Sequence, residues 1–164
     1  MYKIDEIDIR IANLLVEDGR MTSAEVARLI GGISERAARY RIERMIREGV
    51  IQVCAIANPQ AIGYSILANV WLQVDSDVVA EVAKKLTTYD CVQHVAYAIG
   101  ETDINLQIVG RDAASVYEFV TQVIGKTPGV RKTTTSIVPR VLKGAHQWKF
   151  PMGDPRREKC SSNS

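Results

Sequence analysis

Arginines recur at helical spacing between Ser34 and Ile51, in the stretch SERAARYRIERMIREGVI. At about 100° per residue, the apolar side chains fall on one stripe, which consists of Ala38, Ile42, Met45 and Ile46. Polar side chains occupy the opposite face and its flanks, namely Arg36, Arg39, Tyr40, Arg41, Glu43, Arg44 and Arg47. Guanidinium groups can donate to guanine or bind phosphates. The stretch therefore predicts a DNA-recognition helix, with an ordinary solvated charged face as the alternative.

The chemistry of these side chains predicts distinct roles. Arg36 and Tyr40 lie one helical turn apart on the outer face, and we expect them to contact base edges. Ser34 can cap the helix and meet a phosphate at the positive end of the helix dipole. The alternative for each arginine is an intramolecular salt bridge, because Glu43 and Glu48 lie within reach at helical spacing.

Two shorter helical patterns precede this helix and would position it. The first covers residues 5–17 with Asp5 as its cap, and the second begins with a Thr22–Glu25 capping box and runs to about residue 30. A Gly31–Gly32 turn then leads into the arginine-rich helix. Three helices in this order predict a helix-turn-helix unit. Residues 50–57 are rich in β-forming side chains, and we expect them to form the strand or hairpin of a wing.

The pattern beyond residue 63 changes to strands that alternate with helices. The expected order is strand 65–74, helix 77–87, strand 91–99, strand 104–110, helix 112–125 and strand 130–142. This β-α-β-β-α-β order predicts a ferredoxin-like domain. One side of the first strand carries Leu67 and Trp71 among polar residues, so we expect a second subunit to cover that face of the sheet.

These patterns give an α+β chain with a winged helix-turn-helix domain at 1–57, a linker at 58–63, a ferredoxin-like domain at 64–142 and a disordered basic tail at 143–164. A net charge of +2 does not indicate a partner by itself. The three cysteines are scattered, and neither histidine joins them at metal-ligand spacing. We therefore expect no metal, cofactor or catalytic residue, and a cytoplasmic protein without a signal peptide or membrane segment.

Several segments together resemble one family. IDEIDIRIANLLVEDGRMT, RIERMIREGVI and NPQAIG in the first half, with IGETD and GVRKTTTSIV in the second, are similar to Lrp/AsnC (feast/famine) transcription regulators over roughly residues 3–142. The resemblance implies a winged helix-turn-helix joined to a ligand-sensing ferredoxin-like domain. It also implies dimers that assemble into octamers or similar particles, with an amino acid or related metabolite bound between dimers. Arg41 matches an arginine of the family, which together with Arg39 and Arg44 is then expected to face phosphates.

By the same resemblance, residues 100–103 form the effector loop. Gly100 would let a ligand approach the backbone, beside Thr102, and Asp103 could accept a hydrogen bond from an α-ammonium group. Strand alternation places Thr133 and Thr135 on one face, where their hydroxyls could bind the carboxylate of the effector. The alternative is a plain hairpin turn, in which Asp103 bonds its own backbone.

The predicted function is a homo-oligomeric transcription regulator that binds double-stranded DNA and responds to an amino acid or related metabolite. Two alternatives stay open at this point. Sirohaem decarboxylases are similar in fold but carry an arginine-rich wing, whereas this wing segment, GVIQVCAIANP, has no arginine. An amino-acid-binding or architectural DNA protein without sequence specificity is the second alternative.

Overall fold

The computed structural model describes residues 3–152. Its contacts divide the chain into two compact units, Met1–Ile56 with Leu142–Ser164, and Ala57–Val141. The first is called here the helix-turn-helix unit and the second the sheet unit. The helix-turn-helix unit is therefore built from two segments of the chain, and the sheet unit is inserted between them.

Three helices build the helix-turn-helix unit: α1 (Glu6–Glu17), α2 (Ser23–Ile30) and α3 (Glu35–Arg47). Their apolar stripes meet in one core, and the side chains of Ile11, Val26, Ala38 and Met45 are fully buried there. The predicted stripe of α3 is wrong at one position, since Ile46 is 45% exposed. Ile46 lies in the last turn of α3, where its side chain stays outside the core that buries Met45.

The helix starts follow the predicted caps. Asp5 accepts from the backbone N–H of Asp8 at 2.8 Å, and Thr22 accepts from that of Glu25 at 3.3 Å. The Glu25 carboxylate accepts in return from Thr22, and these hydrogen bonds hold the pKa of Glu25 below its ordinary value. Both capping boxes are therefore formed, and each satisfies amide groups that a helix start leaves without partners.

We expect Thr22→Ala to lower the free energy of unfolding of the helix-turn-helix unit by about 1 kcal/mol, because α2 loses its capping oxygen. Ser23→Ala, one residue further into the helix, is the matched control and should leave stability nearly unchanged. Denaturant unfolding followed by circular dichroism at 222 nm measures both variants. Equal stabilities of the two variants would contradict this role for the cap.

The predicted wing is wrong in this chain. Residues 51–58 form no strand, and most of their side chains are exposed. β-Forming residues make a strand only when a neighbouring strand completes the ladder, and the described part of the helix-turn-helix unit contains no strand. This segment is therefore an irregular connection to the sheet unit.

The sheet unit has the predicted β-α-β-β-α-β order. Its elements are β1 (Ile66–Val74), α4 (Val79–Leu86), β2 (Val92–Tyr97), β3 (Ile104–Gly110), α5 (Ala113–Glu118) and β4 (Val130–Val138). The strands lie in the antiparallel order β2-β3-β1-β4. The ferredoxin-like prediction is confirmed, although the predicted strands 91–99 and 130–142 end earlier, at Tyr97 and Val138. The predicted helix 112–125 also changes after Glu118 into a π-helical turn, Phe119–Ile124.

One face of this sheet carries the core. Alternate residues of β1, among them Val70 and Leu72, are fully buried together with Leu106 of β3 and Leu86 of α4. On the opposite face of β1, Leu67 and the other odd-numbered residues are only half-buried. The helices thus cover a single face of the sheet within one chain.

The start of the predicted disordered tail is ordered. Residues 145–147 form a 3-10 turn, and Phe150 packs against the core of the helix-turn-helix unit. The disorder prediction is therefore wrong for residues 143–152, because Phe150 packs against this core and its main chain is hydrogen-bonded to the side chain of Asn13, whereas Trp148 and Met152 remain about half exposed. Residues 153–164, the rest of that predicted tail, lie outside the described residues.

Candidate nucleic-acid interface and effector loop

The start of α3 is built from a tight turn and a cap. Gly31 and Gly32 both have φ near +70°, a backbone conformation that residues other than glycine rarely adopt. Ser34 follows as the N-cap, and its Oγ accepts from the N–H of Ala37 at 3.2 Å. Ser34 is exposed, so the positive end of the helix dipole faces solvent.

Three of the predicted DNA-contacting side chains lie exposed along the outer face of α3. They are Arg36, Arg39 and Tyr40, with Tyr40 58% exposed. Arg39 forms an ion pair with Glu35 at 2.7 Å, and both side chains are more than half exposed. Such a surface pair contributes only about 0.3–0.5 kcal/mol. A phosphate can therefore replace Glu35 as the partner of Arg39.

Arg41 was predicted to face phosphates, but its guanidinium is bound by carboxylates of the same unit. Its guanidinium is 2.7 Å from Asp5 and 2.7 Å from Asp8, and only 27% of the side chain is exposed. The hydrogen bonds that Arg41 donates to Asp5 and Asp8 raise the pKa of the guanidinium above its ordinary value. Arg41 thus joins α3 to the start of α1, and the intramolecular salt bridge considered as an alternative is the one that forms, with carboxylates from a different helix.

Sequence reasoning missed Asp8, which is the central acceptor of this ion pair. Its side chain is 2% exposed, although the residue is charged. A signal was available: Asp8 precedes Ile11 and Leu15 at helical spacing, on the face of α1 that packs inward. A carboxylate at such a position needs a cation from another element. Arg44, predicted to face phosphate, is half-buried and already has interactions of its own.

In the sheet unit, the predicted effector loop joins the end of β2 to β3. Gly100 has φ of +137°, which favours glycine. The backbone N–H of Asp103 donates to the carbonyl of Leu72 at 2.8 Å, and Asp103 Oδ2 accepts from the backbone N–H of Val74 at 2.7 Å. The carboxylate therefore ties the loop to the end of β1 and does not bond to its own turn. It remains 37% exposed.

Arg131 at the start of β4 adds a cation beside this carboxylate. Its guanidinium donates to the Val74 carbonyl at 3.2 Å, lies 3.3 Å from Asp75 and is 3.9 Å from Asp103. The group is 59% exposed. Opposite charges thus lie side by side at the surface near the loop, an arrangement that suits a zwitterionic ligand.

The two predicted threonines share a face but differ in exposure. Thr133 pairs with Leu72 and Thr135 with Val70, so both lie on the face of the sheet that carries the core. Thr133 is half-buried and Thr135 is exposed at the edge strand. Leu72 pairs with Ile104 on its other side, which places Thr133 and the end of the effector loop on the two strands that flank Leu72.

Within residues 3–152, the structure contains neither a metal-binding cluster nor a membrane-spanning helix. No group of three or more His, Cys, Asp or Glu side chains in that range could hold a metal ion. In the same range, no helix is both long enough and apolar enough to cross a bilayer.

Comparisons with known proteins agree with this geometry. A family model described as the AsnC-type helix-turn-helix domain matches residues 4–46, and one described as the Lrp/AsnC ligand binding domain matches residues 67–148. The chain is 36% identical over 148 residues to an HTH-type transcriptional regulator of Pyrococcus furiosus, covering 90% of this chain and 99% of that protein. It is also 36% identical over 141 residues to the HTH-type transcriptional regulator FL11 of Pyrococcus abyssi, covering 85% and 92%.

A solved structure shares the fold at lower sequence identity. The transcriptional regulator of Neisseria meningitidis in complex with L-Met superimposes with a TM-score of 0.80 and 23% identity, covering 87% of this chain and 94% of that one. The two domain models place a helix-turn-helix before a ligand-binding domain, and the relatives that match most of this chain are HTH-type transcriptional regulators. The chain belongs to the Lrp/AsnC family, and it is a transcription regulator that joins a DNA-binding helix-turn-helix to a ligand-binding domain.

Proposed function

We propose that this protein regulates transcription as a homo-oligomer that reads DNA through α3 and responds to an amino acid. The exposed outer face of α3 is the observation that carries this proposal. Its inner face is buried at Ala38 and Met45, so the helix cannot rotate, and Arg36, Arg39 and Tyr40 must point outward. A regulator of chromosomal transcription acts in the cytoplasm, which is where we place it.

We assign the contacts on α3 by exposure. Arg36 and Tyr40 contact base edges in the major groove, where an arginine can bond guanine through two donors. Ser34 and Arg39, which are exposed, bind phosphates, and Arg44, which is half-buried, reaches a phosphate from the flank of the helix by exchanging its intramolecular interactions for it. Arg41 is left out of this interface because Asp5 and Asp8 already bind its guanidinium.

The effector is an α-amino acid held by the loop at residues 100–103 and the nearby strand β4. The exposed carboxylate of Asp103 binds the ammonium group, and the hydroxyls of Thr102, Thr133 and Thr135 receive the rest of the polar head group. Gly100 allows the ligand to approach the backbone. The relative crystallised with L-Met supports this ligand class.

The open face of the sheet is the surface for self-association. Trp71 lies in its centre, only half-buried, and pairs with Asn105 and Thr134 on the neighbouring strands. A second copy of this face would bury Trp71 and the partly apolar rows around it. We expect a dimer of this kind, which then assembles into an octamer or similar particle.

The DNA-binding part is tested by selecting bound duplexes from a random pool with the full-length protein. The selected duplex is then titrated in a gel shift at fixed salt, with random-sequence duplex as competitor. We expect the selected duplex to bind at least about 10³-fold more tightly than the random one. Equal displacement by both competitors would contradict sequence-specific recognition and favour an architectural role.

The effector site is tested through the face alternation of β4. Twenty L-amino acids are titrated into the full-length protein by calorimetry, and the tightest binder is then titrated into two variants. We expect Thr135→Ala to weaken binding about fivefold, the loss of one hydrogen bond, and Thr134→Ala on the opposite face to have little effect. The reverse order would place the effector on the open face of the sheet. No binding by any of the twenty would contradict the proposed ligand class.

A further inference from the structure

Two side chains of opposite charge complete the end of β1 beside the effector loop. The last ladder pair between β1 and β3 is Leu72 with Ile104, so Val74 extends beyond that neighbouring strand. The backbone N–H of Val74 donates to Asp103 Oδ2 at 2.7 Å, and its carbonyl accepts from Arg131 Nη2 at 3.2 Å. Main-chain groups at a strand end need such partners. Both charged groups are therefore held at the same residue of β1.

Arg131 keeps most of its donors open. A guanidinium carries five N–H donors. Within residues 3–152, the bond to the carbonyl of Val74 is the only hydrogen bond that this side chain donates, and its Nε forms an ion pair with Asp75 at 3.3 Å. Its Nη2 is 3.9 Å from Asp103 Oδ2, which is too far for a hydrogen bond. Since the side chain is 59% exposed, a ligand can reach the remaining donors from solvent.

Asp103 likewise keeps an acceptor. Its Oδ2 binds the N–H of Val74, whereas its Oδ1 accepts no hydrogen bond from residues 3–152. In an α-amino acid, the ammonium and carboxylate groups are attached to the same carbon, so they need two binding groups of opposite charge side by side. Asp103 and Arg131 have this arrangement, and an arginine can bind a carboxylate through two parallel N–H bonds.

The balance of charge at this place favours a ligand that carries both groups. Two carboxylates, Asp75 and Asp103, surround one guanidinium, which gives a net charge of −1. A carboxylic acid without an ammonium group would add a third anion, and an amine without a carboxylate would place a second cation beside Arg131. Like charges placed close together are unfavourable, and they exclude ligands of the wrong kind.

We propose that Arg131 binds the α-carboxylate of the effector and thereby selects α-amino acids over amines and amides that lack this group. The inference rests on the proposed function, that is, on an amino-acid effector bound at this loop. A carboxylate has about four acceptor positions, so the hydroxyl of Thr133 can donate to the same group. Asp103 binds the ammonium group, and Arg131 adds the requirement for the carboxylate.

The role of Arg131 is tested with two matched probes. The tightest-binding of the twenty L-amino acids and its α-amide, which keeps the ammonium group but has no α-carboxylate, are titrated into the full-length protein by calorimetry. We expect the wild type to bind the acid about 10- to 100-fold more tightly than the amide, because hydrogen bonds between charged groups are the stronger ones. Arg131→Gln should lose this preference, since its binding of the acid weakens while its binding of the amide changes by less than about threefold.

Two further variants distinguish ligand binding from a structural role. Arg131→Lys keeps the positive charge and should recover part of the preference for the acid, which also covers the case that Arg131→Gln folds poorly. Asp75→Asn removes the ion pair and the repulsive carboxylate, so it should bind the acid about two- to fivefold more tightly.

Arg111→Gln is the charge-matched control. This exposed arginine follows Gly110, which pairs with Ile66 at the opposite end of β1. Its affinities for the acid and the amide should equal those of the wild type within about twofold.

The outcomes separate this inference from the proposed function. If none of the twenty amino acids binds, the proposed ligand class is wrong, and the role of Arg131 is overturned with it. If an amino acid binds but Arg131→Gln keeps the preference for the acid, or the wild type has no such preference, the role of Arg131 is overturned while the effector proposal stands. Equal weakening of the acid and the amide in Arg131→Gln, with weaker binding of both in Asp75→Asn, would show that Arg131 only supports the end of β1 and would also overturn its role.

Discussion

Replacing Arg41 by alanine is expected to lower the free energy of unfolding of the helix-turn-helix unit by about 3–5 kcal/mol. The change leaves the carboxylate of Asp8, whose side chain is 2% exposed, without the guanidinium that now lies 2.7 Å away. Removing one partner of a buried ion pair is costly because the remaining charge is desolvated and loses its counter-charge, and the N–H of Asp5 that still donates to Asp8 offsets only part of this loss. A loss of this size is a large part of the stability of a small domain.

The two tryptophans allow this unit to be measured separately. Trp148 lies in the helix-turn-helix unit and Trp71 in the sheet unit, so tryptophan fluorescence in a Trp71→Phe background follows the first unit alone. Arg47→Ala, an exposed arginine in the last turn of the same helix, is the matched control, with an expected change within about 0.5 kcal/mol. Normal stability of Arg41→Ala with uniformly weaker DNA binding would restore the phosphate contact predicted from the sequence.

The second ion pair of Arg41, with Asp5, should make the stability of the protein depend on pH. Partial burial acts to raise the pKa of Asp5, but the N–H of Asp8 and the guanidinium of Arg41 outweigh it and hold the pKa below 3.8. A carboxylate with a depressed pKa stabilises the folded state fully above the unfolded pKa, and this contribution disappears as pH falls through the folded value. We therefore expect the wild type to lose stability below about pH 3.8, and Asp5→Asn to lose less over the same range.

The sequence predicted those parts of the fold that depend on local patterns. The Asp5 cap, the Thr22–Glu25 capping box, the Gly31–Gly32 turn and the alternation of β1 each lie within a few consecutive residues, and all are present in the structure. The order of strands and helices was sufficient for the ferredoxin-like topology, because short connections leave few alternatives.

The features that the sequence did not predict depend on partners distant in the chain. Arg41 and Asp8 are 33 residues apart, and Asn13 and Phe150 are 137 apart. Periodicity assigns a residue to a face but does not say which residue of another element it meets. The prediction of a wing was wrong for a related reason. β-Propensity describes how well a side chain fits an existing sheet and does not show whether a neighbouring strand is present.

In the candidate sites, too, features set by local patterns were predicted and contacts between distant residues were not. Exposure of Arg36 and Tyr40 followed directly from the helical period, once the buried stripe was known. The bond from the N–H of Val74 to Asp103 was not foreseen, because it joins the effector loop to the end of a different strand. Asp103 therefore also stabilises the loop. A substitution there would change both folding and ligand binding, so a loss of binding could not be assigned to the ligand contact alone. Thr135 is the cleaner probe of the effector site.

Arg36→Ala is expected to weaken binding to the selected DNA by about 1–3 kcal/mol, which corresponds to about 5- to 150-fold in Kd. The side chain lies exposed in the first turn of α3, the part of a recognition helix that contacts base edges. Loss of a bidentate contact to guanine leaves the acceptors of that base without a partner in a partly desolvated groove. Fluorescence anisotropy at fixed salt, with selected and random duplexes, measures the change.

A matched control distinguishes the loss of a base contact from the loss of a positive charge. Arg20→Ala also removes one arginine, whose side chain is 94% exposed before the start of α2, and it should change binding to both duplexes by less than about threefold. Arg36→Ala should reduce affinity for the selected duplex far more than for the random one, because a base contact exists only at the right base pair. An equal loss on both duplexes, with a salt slope reduced by about one, would instead assign Arg36 to a phosphate. The base contacts of α3 would then have to come from Tyr40, whose exposed ring lies one turn further along the same face.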